Sequence, residues 1–187
     1  MVQPNKKKYR PTVSIITVNK NNYAGLIKTV ESVKKQDFID FEYIINDGAS
    51  TDGSLSYLGM LKDEMDFLHL RDQGAGIYEA MNIGLRASEG EYVIFLNSGD
   101  FFIGKDSLSS LTKASSGNDF IYGHAAIKAE DNKLLIMHKS PYIFFHIKYQ
   151  HSLPSLPASL IKTKLILKEQ GFREDMRICS DIDMISK

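Results

Sequence analysis

The chain has one cysteine, Cys179, in 187 residues. That excludes an internal disulfide framework and a metal site built from several thiolates. It fits a reducing, cytoplasmic setting. Cys179 reads as a structural residue, with a histidine-paired nucleophile as the rival. Neither sign of charge is in excess, because 23 Lys+Arg stand against 23 Asp+Glu. No bulk attraction to nucleic acid follows from that balance. No apolar run approaches the roughly 20 residues that a bilayer span needs. The basic start, Lys6 to Arg10, leads into a strand pattern and is not a signal peptide. It reads as a solvated tail, with contact to an anionic membrane surface as the alternative. The chain also lacks a Gly-x-x-x-x-Gly-Lys-Ser/Thr loop, a Gly-x-Ser-x-Gly setting for Ser98, and metal-ligand spacing among its five histidines. Gly74-Ala75-Gly76 imitates part of a dinucleotide fingerprint. Glu79 occupies its third small position, and the glycines follow the third strand rather than the first.

What is there is ordinary globular chemistry. The apolar fraction is 43% and the charged fraction 25%, and this length buries a core as one domain, residues 1–187. Pro11 to Val18 reads as a strand. Asn22 then caps a helix to about Lys35, with Leu26, Val30 and Val33 on one face. Phe41 to Asn46 is a second strand, and Leu55, Leu58 and Leu61 mark a short helix. Phe67 to Leu70 is a third strand. Ile77 to Ala87 is a helix with Ile77, Met81 and Leu85 along one face. Tyr92 to Leu96 is a buried central strand. This alternation predicts an α/β fold with a right-handed, mostly parallel sheet flanked by helices. Asp106 caps a brief helix carrying Leu108 and Leu111, and Phe120 to Tyr122 is a strand. Ala126–Ala129 and Leu134–His138 flank Glu130–Lys133 as a small antiparallel hairpin. Tyr142 to Tyr149 covers a core or lines a pocket. Ser152 to Pro157 is a loop, Leu160 to Lys168 a helix ended by Gly171-Phe172, and Ser180-Asp181 caps a last helix.

The strands end in Asn19, Asp47, Asp72 and Asp100. In a parallel sheet these ends share one rim, where ligands collect. Acids gathered there repel unless a metal ion, a basic residue or a ligand's donors sit among them. Oxygens from Asn97, Ser98 and Asp100 on a tight loop suit Mg²⁺ or Mn²⁺. An ordinary turn explains the same four residues, since Asn-Ser-Gly-Asp is good turn chemistry.

Four stretches in order change that balance. They are Val13 to Val18, Asp47 to Gly53, Asp72 through Gly76 to Gly84, and Gly90 to Asp100. Together they resemble the ordered motifs of family-2 glycosyltransferases, which are inverting, nucleotide-sugar-dependent enzymes with the GT-A fold. Bacterial enzymes of exopolysaccharide and lipopolysaccharide assembly look most alike. The resemblance runs from about Pro11 to the C-terminus.

It implies a nucleotide-sugar half at about residues 11–106 and an acceptor half at about 107–187. Thr17, Val18 and Asn19 would border the base, and Asp47 would accept a hydrogen bond from it, typically from uracil. Asp52 would hold its own loop or cap the next helix. Asp72 would stand near the ribose and diphosphate. Tyr78, Met81 and Asn82 would lie on the helix that packs beside the donor site, with Tyr78 and Met81 reading as core packing and Asn82 holding a loop or a phosphate oxygen. Asn97 and Ser98 would border the donor, and Asp100 would be the main ligand of Mn²⁺ or Mg²⁺. In Gly171 to Glu174 and Ile178 to Asp183, Asp181 matches the catalytic base and Asp183 is the neighbouring candidate. The implied reaction moves a hexosyl or N-acetylhexosaminyl group from a UDP-sugar to a hydroxyl of a glycan or lipid-linked acceptor. Its setting would be polysaccharide biosynthesis for the cell envelope, in the cytoplasm or at the inner face of the membrane. The resemblance implies no nucleic-acid partner and no particular oligomer.

The pattern departs from the family at several places. Asn97 replaces an acid, Ser180 replaces a glutamate, and no histidine stands in Leu153 to Pro157, although His151 lies upstream. The chain also ends soon after Asp183, as a truncated acceptor half would. These departures motivate a second reading, a non-catalytic nucleotide-sugar-binding module. A nicotinamide-cofactor enzyme using Gly74 and Gly76 is a third.

Overall fold

The structure, a computed structural model, describes residues 10–74, 76–128, 134–137, 154–176, 178 and 180–185. The basic run before Arg10, the 130–133 turn, the aromatic run 142–149, His151 and Cys179 lie outside the described residues.

Four strands, β1 (Val13–Asn19), β2 (Phe41–Asp47), β3 (Leu68–Arg71) and β4 (Tyr92–Phe95), lie parallel. They alternate with α1 (Tyr23–Lys34), α2 (Ser54–Leu61) and α3 (Ile77–Ala87). The second half adds α4 (Ser107–Lys113), β5 (Phe120–Tyr122), β6 (Ala125–Lys128), β7 (Leu134–Met137), β8 (Ser159–Lys162), α5 (Thr163–Lys168) and α6 (Ser180–Ile185). The sheet order is β3-β2-β1-β4-β8-β5, with β8 antiparallel to both of its neighbours. β6 and β7 pair antiparallel as the expected hairpin.

All seven residues of β1 are buried. That requires cover on both faces, which helices supply in a parallel sheet. Ile15, Ile45 and Ile94 face one core with Leu26, Val30 and Val33 of α1. Ile16, Ile44 and Phe95 face the other with Met81 and Leu85 of α3 and with Phe172.

Two expectations change. Leu160 to Lys162 is strand, not helix. It fills the gap between β4 and β5, where Ile161 faces Val93 and Phe120. A short apolar run fits either state, and pairing decides it. Ile77 does not join the buried stripe of α3 and is 48% exposed. It stands on the first turn and lines cavities at the rim of the sheet, and α3 buries Ala80, Met81 and Leu85 instead.

The register aligns the strand ends. Asn19 pairs with Asp47, and Asp47 with Arg71. The ladder continues past β4, since Ser98 N donates to Val18 O at 3.0 Å. Asn19, Asp47, Asp72 and Asn97 therefore end on one rim.

Candidate active site

Asn22 ties the first rim loop to the last. Its Oδ1 accepts from Gly25 N at 3.1 Å, capping α1, while its Nδ2 donates to Ser98 O at 2.9 Å. Beside it lies a cavity of about 330 Å³ lined by Val18, Asn19, Lys20, Asp72, Asn97 and Ser98, among others. Asp72 Oδ1 accepts from Gly74 N, and Asp72 Oδ2 is buried with no hydrogen-bond partner. Asn19 Nδ2 donates to Asp47 Oδ2 at 2.8 Å, whereas Asn19 Oδ1 is buried without a partner. Buried orphans of this kind at a cavity wall are places for a ligand's N–H or O–H groups. Lys20 supplies a cation, with Nζ 3.1 Å from Gly74 O.

Asp47 and Thr17 stand behind that wall. Asp47 is fully buried, with Oδ1 accepting from Ser50 N at 2.8 Å and Oδ2 from Asn19. Thr17 is fully buried too, donating to Leu96 O at 2.7 Å. Neither lines the cavity. Of its two expected roles Asp52 takes the loop, accepting from Ser54 N and Oγ just before α2, whose N-cap is Gly53, and it also accepts from Tyr23 N at 2.7 Å.

A second cavity, of about 400 Å³, is lined by Asn97, Asp100 and Asp181 with Tyr78, Met81 and Leu156. Burial holds the Asp100 carboxyl above the usual carboxylate range, and the charge of Lys28 opposes that shift. Tyr78 OH lies 3.3 Å from Asp181 Oδ1. Burial first, then the charge of Asp181, pushes the Tyr78 phenol up, so it stays protonated and donates to the carboxylate. Its ring stacks on Phe172 at 5.8 Å. Tyr78 thus does more than pack.

Asn82 sits behind this cavity and lines neither pocket. Its Oδ1 accepts from Phe172 N at 2.9 Å, and its Nδ2 donates to Phe172 O at 2.8 Å and to Glu174 Oε1 at 2.9 Å. Of its two expected roles, the geometry gives it the loop. Asp183 is outside the second cavity, and its charge acts on Arg173, whose main partner is Asp175.

The third cavity, of about 660 Å³, lies on the other side of Asp100. Phe101, Phe102, Leu111 and Ile121 form apolar wall, and Lys28, Ser110 and His124 supply polar groups. Lys28 Nζ stands 3.7 Å over the Phe101 ring. Asn97 is common to the first and second cavities, and Asp100 to the second and third. The three form one groove along the rim.

Among the described residues no group of three or more His, Cys, Asp or Glu is placed to hold a metal ion. Asn97 Oδ1 is nonetheless buried without a partner in the cavity that Asp100 lines. One carboxylate and one amide oxygen fit a hard cation whose other ligands are a bound diphosphate and water.

The expected residues Val18, Asn19, Asp72, Asn97, Ser98, Asp100 and Asp181 are therefore brought together, and Thr17, Asp47, Asn82 and Asp183 are not. Sequence reasoning passed over Lys20 and Lys28. Lys20 follows the first strand directly, which was a usable signal. Lys28 lies mid-helix and gave none.

The family model described as Glycosyl transferase family 2 matches residues 14–174. An uncharacterized glycosyltransferase of Mycobacterium tuberculosis is 30% identical over 178 residues, covering 94% of this chain and 68% of that protein. S. aureus TarS in complex with UDP-GlcNAc superposes with a TM-score of 0.73 at 21% identity, over 92% of this chain and 52% of that one. The mannosyltransferase PcManGT from Pyrobaculum calidifontis, in complex with GDP-Man and Mn²⁺, gives 0.70 at 19% identity, over 94% and 51%. The chain spans about half the length of these two solved structures. The six-stranded, mostly parallel sheet is the GT-A-like arrangement they share.

Proposed function

This chain belongs to glycosyl transferase family 2, and from that premise we propose an inverting transfer from a UDP-sugar to a hydroxyl of a glycan or lipid-linked acceptor. The setting is cell-surface polysaccharide synthesis. The observation that carries the reading is the shared groove, in which Asn97 and Asp100 stand between a polar, lysine-bearing cavity and a larger apolar one.

The donor takes the first cavity. Asp72 Oδ2 and Asn19 Oδ1 accept from base or ribose donors, and Lys20 faces the diphosphate. Asp47 acts on the base indirectly by fixing Asn19. The acceptor enters from the third cavity, whose apolar wall suits a lipid-linked glycan. Asp181 takes the proton of the acceptor hydroxyl as that oxygen attacks the anomeric carbon. The bond to the sugar's phosphate oxygen breaks on the opposite face, and the diphosphate leaves with the electron pair. Tyr78 holds one Asp181 oxygen so that the other can point at the acceptor, and Asp183 serves charge balance with Arg173. Asp100 and Asn97 would hold Mn²⁺ or Mg²⁺ beside the diphosphate, where the ion would supply a Lewis acid for the negative charge that builds there. The Mn²⁺ in the PcManGT complex and the UDP-GlcNAc in the TarS complex support those two choices.

Among the described residues no helix is long and apolar enough to cross a membrane. Cytoplasmic work at the inner membrane face, through peripheral contact, belongs to the same proposal.

The test has two arms. Calorimetric titration of UDP, GDP and dTDP, with and without Mn²⁺, should give metal-dependent binding of UDP that is lost in Asp100→Ala. Asp181→Asn should lower turnover roughly 10²–10⁴-fold, the usual worth of a general base, while leaving UDP binding intact. Undiminished turnover in that variant removes Asp181 from its role. Donor binding without turnover in the wild type favours the non-catalytic module, which the replacement of one motif acid by Asn97 motivates.

A further inference from the structure

α1 and the turn that follows it bury three uncharged polar residues, Gln36 lying two positions past the helix end at Lys34. Thr29, Ser32 and Gln36 follow one another at i, i+3 and i+7 and are 0%, 8% and 9% exposed. Burying polar groups against a core costs stability unless partners are supplied. Here most of the partners are main-chain groups of the segment 97–108, and the rest are the α1 carbonyls of Gly25, Thr29 and Ser32, the last accepting from Gln36 Nε2 at 3.1 Å. Thr29 Oγ1 accepts from Gly99 N at 2.9 Å. It lies 2.7 Å from Asp100 O, 3.0 Å from Gly25 O and 3.4 Å from Asn97 O. One hydroxyl proton makes one good donated bond, and the shortest distance selects Asp100 O. Ser32 Oγ donates to Thr29 O at 2.7 Å and accepts from Phe102 N at 3.1 Å. Gln36 Oε1 accepts from Leu108 N at 2.9 Å, and its Nε2 donates to Gly104 O at 2.9 Å.

Before α4 begins at Ser107, the segment held in this way has little regular structure of its own, only the Ser98–Asp100 bridge. Gly99 sits at φ +106, a conformation that glycine takes cheaply. After Leu96 the turn is pinned at Ser98 by Val18 O and by Asn22 Nδ2, and at Gly99 and Asp100 by Thr29. Valine would fill the same volume as Thr29 and leave Gly99 N–H without its acceptor. Thr29 itself lines none of the three cavities of the groove.

We infer that Thr29, backed by Ser32 and Gln36, is a positioning residue of the Asn97–Asp100 turn, holding its Gly99–Asp100 end as Asn22 holds Ser98. Its hydroxyl fixes where the Asp100 carboxylate and the Asn97 amide oxygen stand relative to the donor cavity and to Asp181. This rests on the reading of that turn as the cation-and-diphosphate end of the donor site.

Thr29→Val keeps the branch and removes the hydroxyl, and Thr29→Ser keeps the hydroxyl. UDP binding is followed by calorimetry over a range of Mn²⁺ concentrations. Thr29→Val should raise the Mn²⁺ requirement roughly 10–100-fold, the range for losing an outer-shell partner of a metal ligand. Thr29→Ser should restore it. A lower Tm with an unchanged Mn²⁺ requirement makes Thr29 merely structural and overturns the inference. If Thr29→Val does not fold, Ser32→Ala, which removes the acceptor of Phe102 N–H, is read in the same titration, and an unchanged requirement again overturns it. If the wild type shows no Mn²⁺-dependent UDP binding, the donor-site reading is what fails. Hydrogen exchange at the Gly99 amide then decides the positioning: faster in Thr29→Val and native in Thr29→Ser upholds it, and no change in Thr29→Val refutes it.

Discussion

Replacing Asn82 by leucine separates two jobs that one residue can do. Asn82 is 3% exposed, and its amide clamps both main-chain groups of Phe172. Leucine is of similar size, so no room opens for water, but it neither donates nor accepts. Phe172 N–H and C=O are then left buried and unpaired. Each such group costs roughly 1–3 kcal/mol, so the expected loss is about 2–6 kcal/mol. Glu174 adds little, because its side chain is 46% exposed. That loss is a large part of a domain's usual ~5–15 kcal/mol. Gly171 shows how closely the clamp fits: at φ +80, a Cβ placed there would overlap Asn82 Oδ1. Urea unfolding at constant m gives the stability change. UDP titration, at a temperature where the variant stays folded, gives the binding change. The clamp predicts a large stability loss, unaltered UDP affinity, and reduced turnover because Phe172 no longer backs Tyr78. A loss below about 1 kcal/mol together with weakened UDP binding would refute this reasoning and return Asn82 to the donor's phosphate.

Three further outcomes follow from the same geometry. Asp47→Asn should cost about 1–3 kcal/mol in urea unfolding, because its new NH₂ meets a donor, from Asn19 Nδ2 or Ser50 N, where an oxygen was needed; unchanged stability would mean that the loop does not depend on that carboxylate. Metal-dependent binding of a UDP-sugar, whose diphosphate has no ionisation in the range, should be present above the raised pKa of Asp100 and fade as pH falls through it, and Lys28→Met should move that acid edge to higher pH, since Lys28 opposes the effect of burial. An edge that stays in place removes Lys28 from the electrostatics of Asp100. Gly171→Ala should destabilise for the reason given at Asn82, and a second unfolding series beside Asn82→Leu should show non-additive losses, because both changes strike one contact.

The alternating elements were legible because β-branched runs and helix caps carry local signals: Asn22 caps α1, and Ile77–Ala87 is the helix its sequence suggests. β8 was not, because Leu160 to Lys162 becomes strand only through its neighbours β4 and β5. The rim acids divide in the same way. That Asp47, Asp72 and Asp100 end strands can be read directly, but which of them faces a ligand is set by pairing across the sheet. Asn19 lies opposite Asp47 in the register and takes up its carboxylate, while Asp72 Oδ2 is left without a partner. Thr29, Ser32 and Gln36 show the limit most sharply. Neutral polar residues spaced along a helix and just past its end, as here, usually mark a solvated face, and no local rule tells such a set from one that is buried. Only the main chain of a distant loop reveals it, since the groups these side chains satisfy lie some 70 positions away: Gly99 N, Asp100 O, Phe102 N, Gly104 O and Leu108 N. A site built on an irregular loop must borrow its geometry from a regular element. The lender can be recognised only by its unexpected polarity once the fold has placed it against the loop.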